Sequence, residues 1–194
     1  MFQRSAFRAF GVLALTYAFG AQAPSSKDLT TFHARLDEYT EMHRRLEGPL
    51  HPVAVTTNMD DVHRSMDALR VRIRAERKEQ EQGYLFSPGL IEELHGRLAA
   101  VMTPADIRNA MEDIDEHMPL NMPPVRVNEA LPEEAPFGMV PPQALRNLPP
   151  LPDELRYMVL SKALLLWDHH ADLVVDLAPG LFDAASYTKA ATRK

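Results

Sequence analysis

Five consecutive residues near the C-terminus, Asp168-His169-His170-Ala171-Asp172, carry two imidazoles and two carboxylates, and Asp176 follows close behind. Imidazole nitrogens and carboxylate oxygens are the ligand types that zinc and other divalent cations take. The segment falls between two apolar runs, at a turn where side chains can converge without disturbing a core. The expected ligand set is Asp168, His170, Asp172 and Asp176, in a metal-binding protein or a metal-dependent hydrolase. His169 is left out because adjacent residues at a strand end point in opposite directions. The favoured reading is the plainer one, a polar hairpin turn in which Asp168 or Asp172 accepts from nearby backbone amides, with the metal site as its alternative.

The other candidates are less specific. His43 lies on the apolar stripe of a helix and reads as a core histidine. Asp113 with His117, and His63 with Asp67, stand at i and i+4, a spacing that could share a metal but more simply makes a solvated ion pair. The regularly spaced Met59, Met66, Met111 and Met118 read as core. Nothing resembles G-x-S-x-G, a P-loop, G-x-G-x-x-G or H-E-x-x-H, so no catalytic residue and no cofactor is assigned. The chain has no cysteine, which excludes a thiol nucleophile, a thiolate metal site, a disulfide framework and a lipid-anchored cysteine. Its formal net charge is −6, with no basic stripe to neutralise phosphates, so nucleic acid is not an expected partner.

The elements that must position these residues are legible from periodicity. At 194 residues, 45% apolar and 25% charged, the chain can bury one proper core. Leu29, Phe32, Leu36, Tyr39, His43 and Leu46 form a narrow helical stripe that Gly48-Pro49 stops. A second stripe runs Val55, Met59, Val62, Met66, Leu69, Ile73, with Thr57 or Asn58 as cap and a solvated tail to Gly83. The two are expected to pack as an antiparallel hairpin. Ser87-Pro88 starts a third helix running to about Met102, with Val101 inward. Thr103-Pro104-Ala105-Asp106 starts a fourth, closed by Pro119. Residues 119–152 hold ten of the sixteen prolines, which rules out a long helix or central strand there. Short structure at Val125–Val127 (strand) and Pro142–Leu148 (helix) is expected, the rest lying extended over the surface. Residues 155–177 read as a three-strand antiparallel meander whose middle run, Ala163 to Trp167, is apolar on both faces.

The fold class expected is α+β: an N-terminal helical hairpin, two further helices and a small C-terminal meander. The divisions are 1–20 (signal peptide), 21–118 (helical), 119–152 (proline-rich) and 153–194 (meander and tail), with 21–194 as one domain. The tripeptide Asp168-His169-His170 resembles the motif of the DHH phosphoesterases. Those enzymes need aspartate motifs on upstream parallel strands, and the upstream part of this chain reads as helix, so that assignment is set aside. Residues 148–179 (LPPLPDELRYMVLSKALLLWDHHADLVVDLAP) are similar to the C-terminal signature of a family of exported bacterial proteins. That family also has a helical N-terminal half, a Q-G-x-x-F-x-P element, matched by Gln82 to Pro88, and a V-R-V-N strand, matched by Val125 to Asn128. The resemblance implies an exported protein and brings no catalytic residue with it. Where the family often reads V-G-R after the first strand, this chain has Leu160-Ser161-Lys162.

The first residues point the same way. Arg4 and Arg8 precede an apolar run from Ala9 to Ala21, too short for the roughly 20 residues of a spanning helix but suited to a signal peptide. Cleavage is expected after Gly20 rather than after Ala23, where Pro24 would occupy the first mature position. The expected product is a periplasmic or secreted accessory or binding protein, without a transmembrane anchor, whose partner is an envelope protein. The absence of catalytic motifs favours this over an enzyme.

Overall fold

A computed structural model describes residues 26–50, 58–136 and 138–191. The expected signal peptide and its cleavage site lie outside them, as do Val55, Thr57 and Phe137. The element order is α1 (Lys27–Glu47), α2 (Met59–Glu76), α3 (Pro88–Ala99), α4 (Pro104–Glu116), β1 (Gly138–Met139), α5 (Pro142–Leu145), β2 (Leu155–Leu160), β3 (Ala163–Asp168), β4 (Leu173–Ala178) and α6 (Ala184–Ala191). The fold is α+β, with α1–α4 N-terminal to an antiparallel sheet of order β1-β2-β3-β4, α5 between its first two strands and α6 after its last.

Local chemistry explains the helix starts. The Ser26 hydroxyl accepts from the Leu29 amide, Ser87 from Leu90, and Asn58 from Asp60, each satisfying a donor that the first turn leaves open. Thr103 and Asp106 form a reciprocal capping box, each side chain accepting the other's backbone N–H. Along α1 the stripe is buried through Leu29, Phe32, Leu36, Tyr39 and His43. On α2 only Leu69 and Ile73 are buried, and Met59 is exposed. Polar contacts between the two helices lie near both C-terminal ends, where Arg45 meets Glu76 and Arg72 donates to the Leu46 carbonyl.

Several boundaries differ from the sequence reading. α2 ends at Glu76 instead of extending to Gly83, because Arg77 turns inward. Its guanidinium donates to Asn128 Oδ1 and the Val175 carbonyl and stands over the Tyr39 ring. The Asn128 amide in turn donates to the Arg77 and Gln80 carbonyls, capping the chain where the helix stops. α3 ends at Ala99, so Val101 is exposed and Met102 takes the inward place. No strand forms at Val125–Val127. The chain there touches β4 through only two backbone bonds, Asn128 N–H to Val174 O and Val174 N–H to Glu129 O. Pro123 and Pro124 remove donors just before it, and Asn128 adopts a φ of 64°, out of line with a ladder. The fourth strand is Gly138–Met139, paired with Met158 and Val159 of β2.

The meander is as expected, with full β2–β3 pairing from Leu155↔Asp168 to Leu160↔Ala163. Ser161 and Lys162 both have positive φ, which is the twist a two-residue turn needs to match its strands. The middle strand is covered on both faces. Leu164 and Leu166 enter the large core that the helices share with Val159, Leu173 and Val175. Leu165 faces the other way, into a smaller cluster with Met158, Leu160, Val174, Leu131 and Ala135. The proline-rich segment therefore docks on the outer sheet face. Between β3 and β4 the register shifts at Leu166/Trp167. This bulge turns two consecutive residues toward the helices: Val175 enters the large core, and Asp176 meets residues 83–86.

Candidate metal centre

The turn between β3 and β4 is pinned between α1 and α2, and each residue of the polar run finds a different partner. Asp168 is fully buried. Its Oδ2 accepts from the Tyr39 hydroxyl and His43 Nδ1, both at 2.6 Å. Its Oδ1 accepts from the His170 and Ala171 amides, both at 3.0 Å. A carboxylate offers about four lone-pair sites, and these four donors fill them. His169 points away toward the Asp153 carbonyl. Asp172 faces α2, where Arg70 Nη1 donates to Oδ2 at 3.0 Å, and its Oδ1 accepts from the Trp167 indole. Asp176 is also fully buried and belongs to a different place, accepting from the Gly83, Leu85 and Phe86 amides at 2.7–2.9 Å.

The four residues expected as ligands are thus not brought together. The sequence proximity of Asp168, His170, Asp172 and Asp176 is dispersed because a tight turn followed by a bulge fans its side chains toward three separate elements. Among the described residues, the group whose ligand atoms do converge is His43, Glu47 and His170, all within 4.8 Å of one another. The Glu47 carboxylate lies between the imidazoles, with Oε2 3.2 Å from His43 Nε2 and Oε1 2.8 Å from His170 Nδ1. Both are hydrogen-bond distances, and they run to the two different oxygens of the one carboxylate. Only His170 was among the expected ligands. His43 and Glu47 sit on α1 at i and i+4, so one helical face presents both, and folding brings His170 to them across the molecule. That spacing was the available signal, but the stripe position of His43 pointed to the core.

The three side chains differ in setting. His43 is fully buried, whereas Glu47 and His170 are each about a third exposed, with side-chain values of 36% and 35%. Burial by itself would lower the pKa of His43. Hydrogen bonds and charge from Asp168 and Glu47 outweigh it and raise the pKa above the ordinary histidine value. Tyr39 is pushed well above its ordinary value by burial and by Asp168, so it remains a hydroxyl donor. Beside the group, Arg44 pairs with Glu154 through Nε and Nη2, and the Glu154 carbonyl accepts from the His169 amide.

The other sequence candidates do not join this centre. His63 and Asp67 are exposed, and the Asp67 carboxylate pairs with Arg70. The Asp113 side chain lies outside the described ones. A cavity of about 690 Å³, lined by Ile107, Met111, Lys162 and Phe182 among others, lies between α4 and α6 and is lined by none of the three residues. No family model, curated protein or solved structure matches this chain.

Proposed function

We propose that this protein is an exported metal-binding protein that holds one divalent transition-metal ion through His43, Glu47 and His170. The observation carrying the reading is the convergence of those three ligand atoms from α1 and the β3–β4 turn. Two imidazoles and one carboxylate suit zinc, whereas calcium and magnesium take oxygen ligands. The contact from His43 Nδ1 to a buried carboxylate supports it, since metal-bound imidazoles commonly donate their second N–H to such a group. Three protein ligands leave a fourth position for water or an outside donor, on the side where Glu47 and His170 meet solvent. Export rests on the signal-peptide pattern of the first twenty residues.

The test is direct. Untagged protein equilibrated with zinc and freed of excess ion should retain one zinc per chain. Its melting temperature should rise with zinc, because an ion held only by the folded state stabilises it by about 2.7 kcal/mol at a hundredfold excess over Kd. His170→Ala and Glu47→Gln should each lower affinity by more than the roughly 10–100-fold typical of changes outside the ligand set. Wild-type protein that stays metal-free, with a melting temperature indifferent to zinc, would overturn the reading.

A further inference from the structure

Asp168 touches both halves of the centre without being able to join it. Its Oδ2 meets the ring of His43, and its Oδ1 meets the backbone amides of His170 and Ala171. We infer that Asp168 is the positioning residue of the centre, fixing which nitrogen of His43 faces the ion and building the turn that presents His170. This rests on the metal-binding reading above.

The argument is one of donors and acceptors. A neutral imidazole carries one N–H and one lone pair. Both contacts of His43 in this fold are to carboxylates, Asp168 at Nδ1 and Glu47 at Nε2. The Asp168 contact is the shorter, at 2.6 Å against 3.2 Å, and it is buried at both ends. The proton therefore belongs on Nδ1, which leaves the Nε2 lone pair directed at the space shared with Glu47 and His170. The second oxygen acts on the backbone. By accepting from the amides of both His170 and Ala171, it holds the chain after β3 in the bend that turns His170 toward Glu47. Tyr39 donates to the same Oδ2 and fixes the carboxylate in turn. One buried side chain thus sets a ligand atom on α1 and a ligand residue on the turn, two parts of the chain far apart in sequence.

Asp168→Asn separates the two roles. The amide oxygen can still accept from the turn amides, while its NH2 faces His43 Nδ1 and requires a lone pair there. Neutral His43 would then carry its proton on Nε2, the ligand atom. Long-range nitrogen–proton NMR spectra of the histidine rings, taken at alkaline pH without metal, read this without reference to binding. The expected result is an Nδ1–H tautomer for His43 in the wild type, an Nε2–H tautomer in D168N, and zinc affinity in D168N reduced about 10–100-fold. Tyr39→Phe, which removes a donor but not the carboxylate, should keep the wild-type tautomer.

An Nε2–H tautomer in the wild type would overturn the inference, and that measurement needs no variant to fold. Unchanged zinc affinity in folded D168N would also overturn it, while leaving the metal-binding reading intact. Conversely, a wild type that shows the Nδ1–H tautomer but takes up no zinc would defeat the metal-binding reading and, with it, the positioning of a metal ligand.

Discussion

Glu154 shows how a single carboxylate at the edge of the centre responds to its surroundings. It is nearly buried, and burial alone would raise its pKa. The hydrogen bonds and charge of Arg44, with a backbone N–H, outweigh that and hold it below the ordinary carboxylate range. A depressed carboxylate stabilises the folded state above its unfolded pKa, about 4.3, and that contribution is lost as pH falls through the lower folded value. Glu154→Gln is therefore expected to lower the melting temperature at neutral pH by roughly 2–4 °C in a chain of this size. The gap to wild type should narrow as pH falls past about 4.3 and close only further into the acid range, as read by thermal melts. A gap that persists undiminished to about pH 3 would show that the charge contributes nothing. At this scale the sequence was partly legible. The reading of this segment as a polar turn whose Asp168 accepts from nearby backbone amides is what the fold has. The partners on α1 were not legible as partners, since more than a hundred residues separate His43 and Glu47 from the turn and only tertiary packing joins them.

Residues 81–87 form no helix or strand, yet three of their amides are bonded to one buried carboxylate. Gly83 turns the chain at a φ of 88°, where only glycine is unstrained, and Leu85 and Phe86 then drop into the core. That descent was readable from Tyr84-Leu85-Phe86 after a polar run. What holds it was not, because the acceptor is Asp176 on β4, re-aimed by a bulge that alternation alone cannot reveal. The same limit applies to Arg77, which read as part of a solvated charge run and is buried against Asn128 and Val175. Asp176→Asn keeps one acceptor oxygen where three loop amides now find two, and it replaces a charged acceptor with a neutral one. The expected cost is about 3 kcal/mol, from weaker bonds and at least one buried amide left without a partner. Urea denaturation measures it, and faster hydrogen exchange at Leu85 and Phe86 would locate it. A loss below roughly 1 kcal/mol would mean that the loop is held by its apolar side chains and not by the carboxylate.

Across the whole molecule, β3 belongs to two packing layers at once. Leu164 and Leu166 face the helices, and Leu165 faces the docked proline-rich segment. The α+β class and the doubly covered middle strand were readable because Ala163 to Trp167 offers no polar face to solvent. The route of residues 119–152 was not readable in detail, because prolines set backbone angles without specifying a register. If the two layers fold as one cooperative unit, as a chain with one shared sheet should, perturbing either must be felt by both. Trp167 is the only tryptophan and reports on the sheet, while the far-UV circular dichroism reports on the helices. Leu166→Ala, beneath the helices, and Leu165→Ala, beneath the proline-rich segment, should each cost about 2–5 kcal/mol. In each variant the fluorescence and circular dichroism transitions should shift together and stay coincident. A Leu165→Ala protein whose tryptophan signal melts before its helices would show that the outer layer unfolds independently, and that residues 119–152 form a separable cover instead of part of the cooperative core.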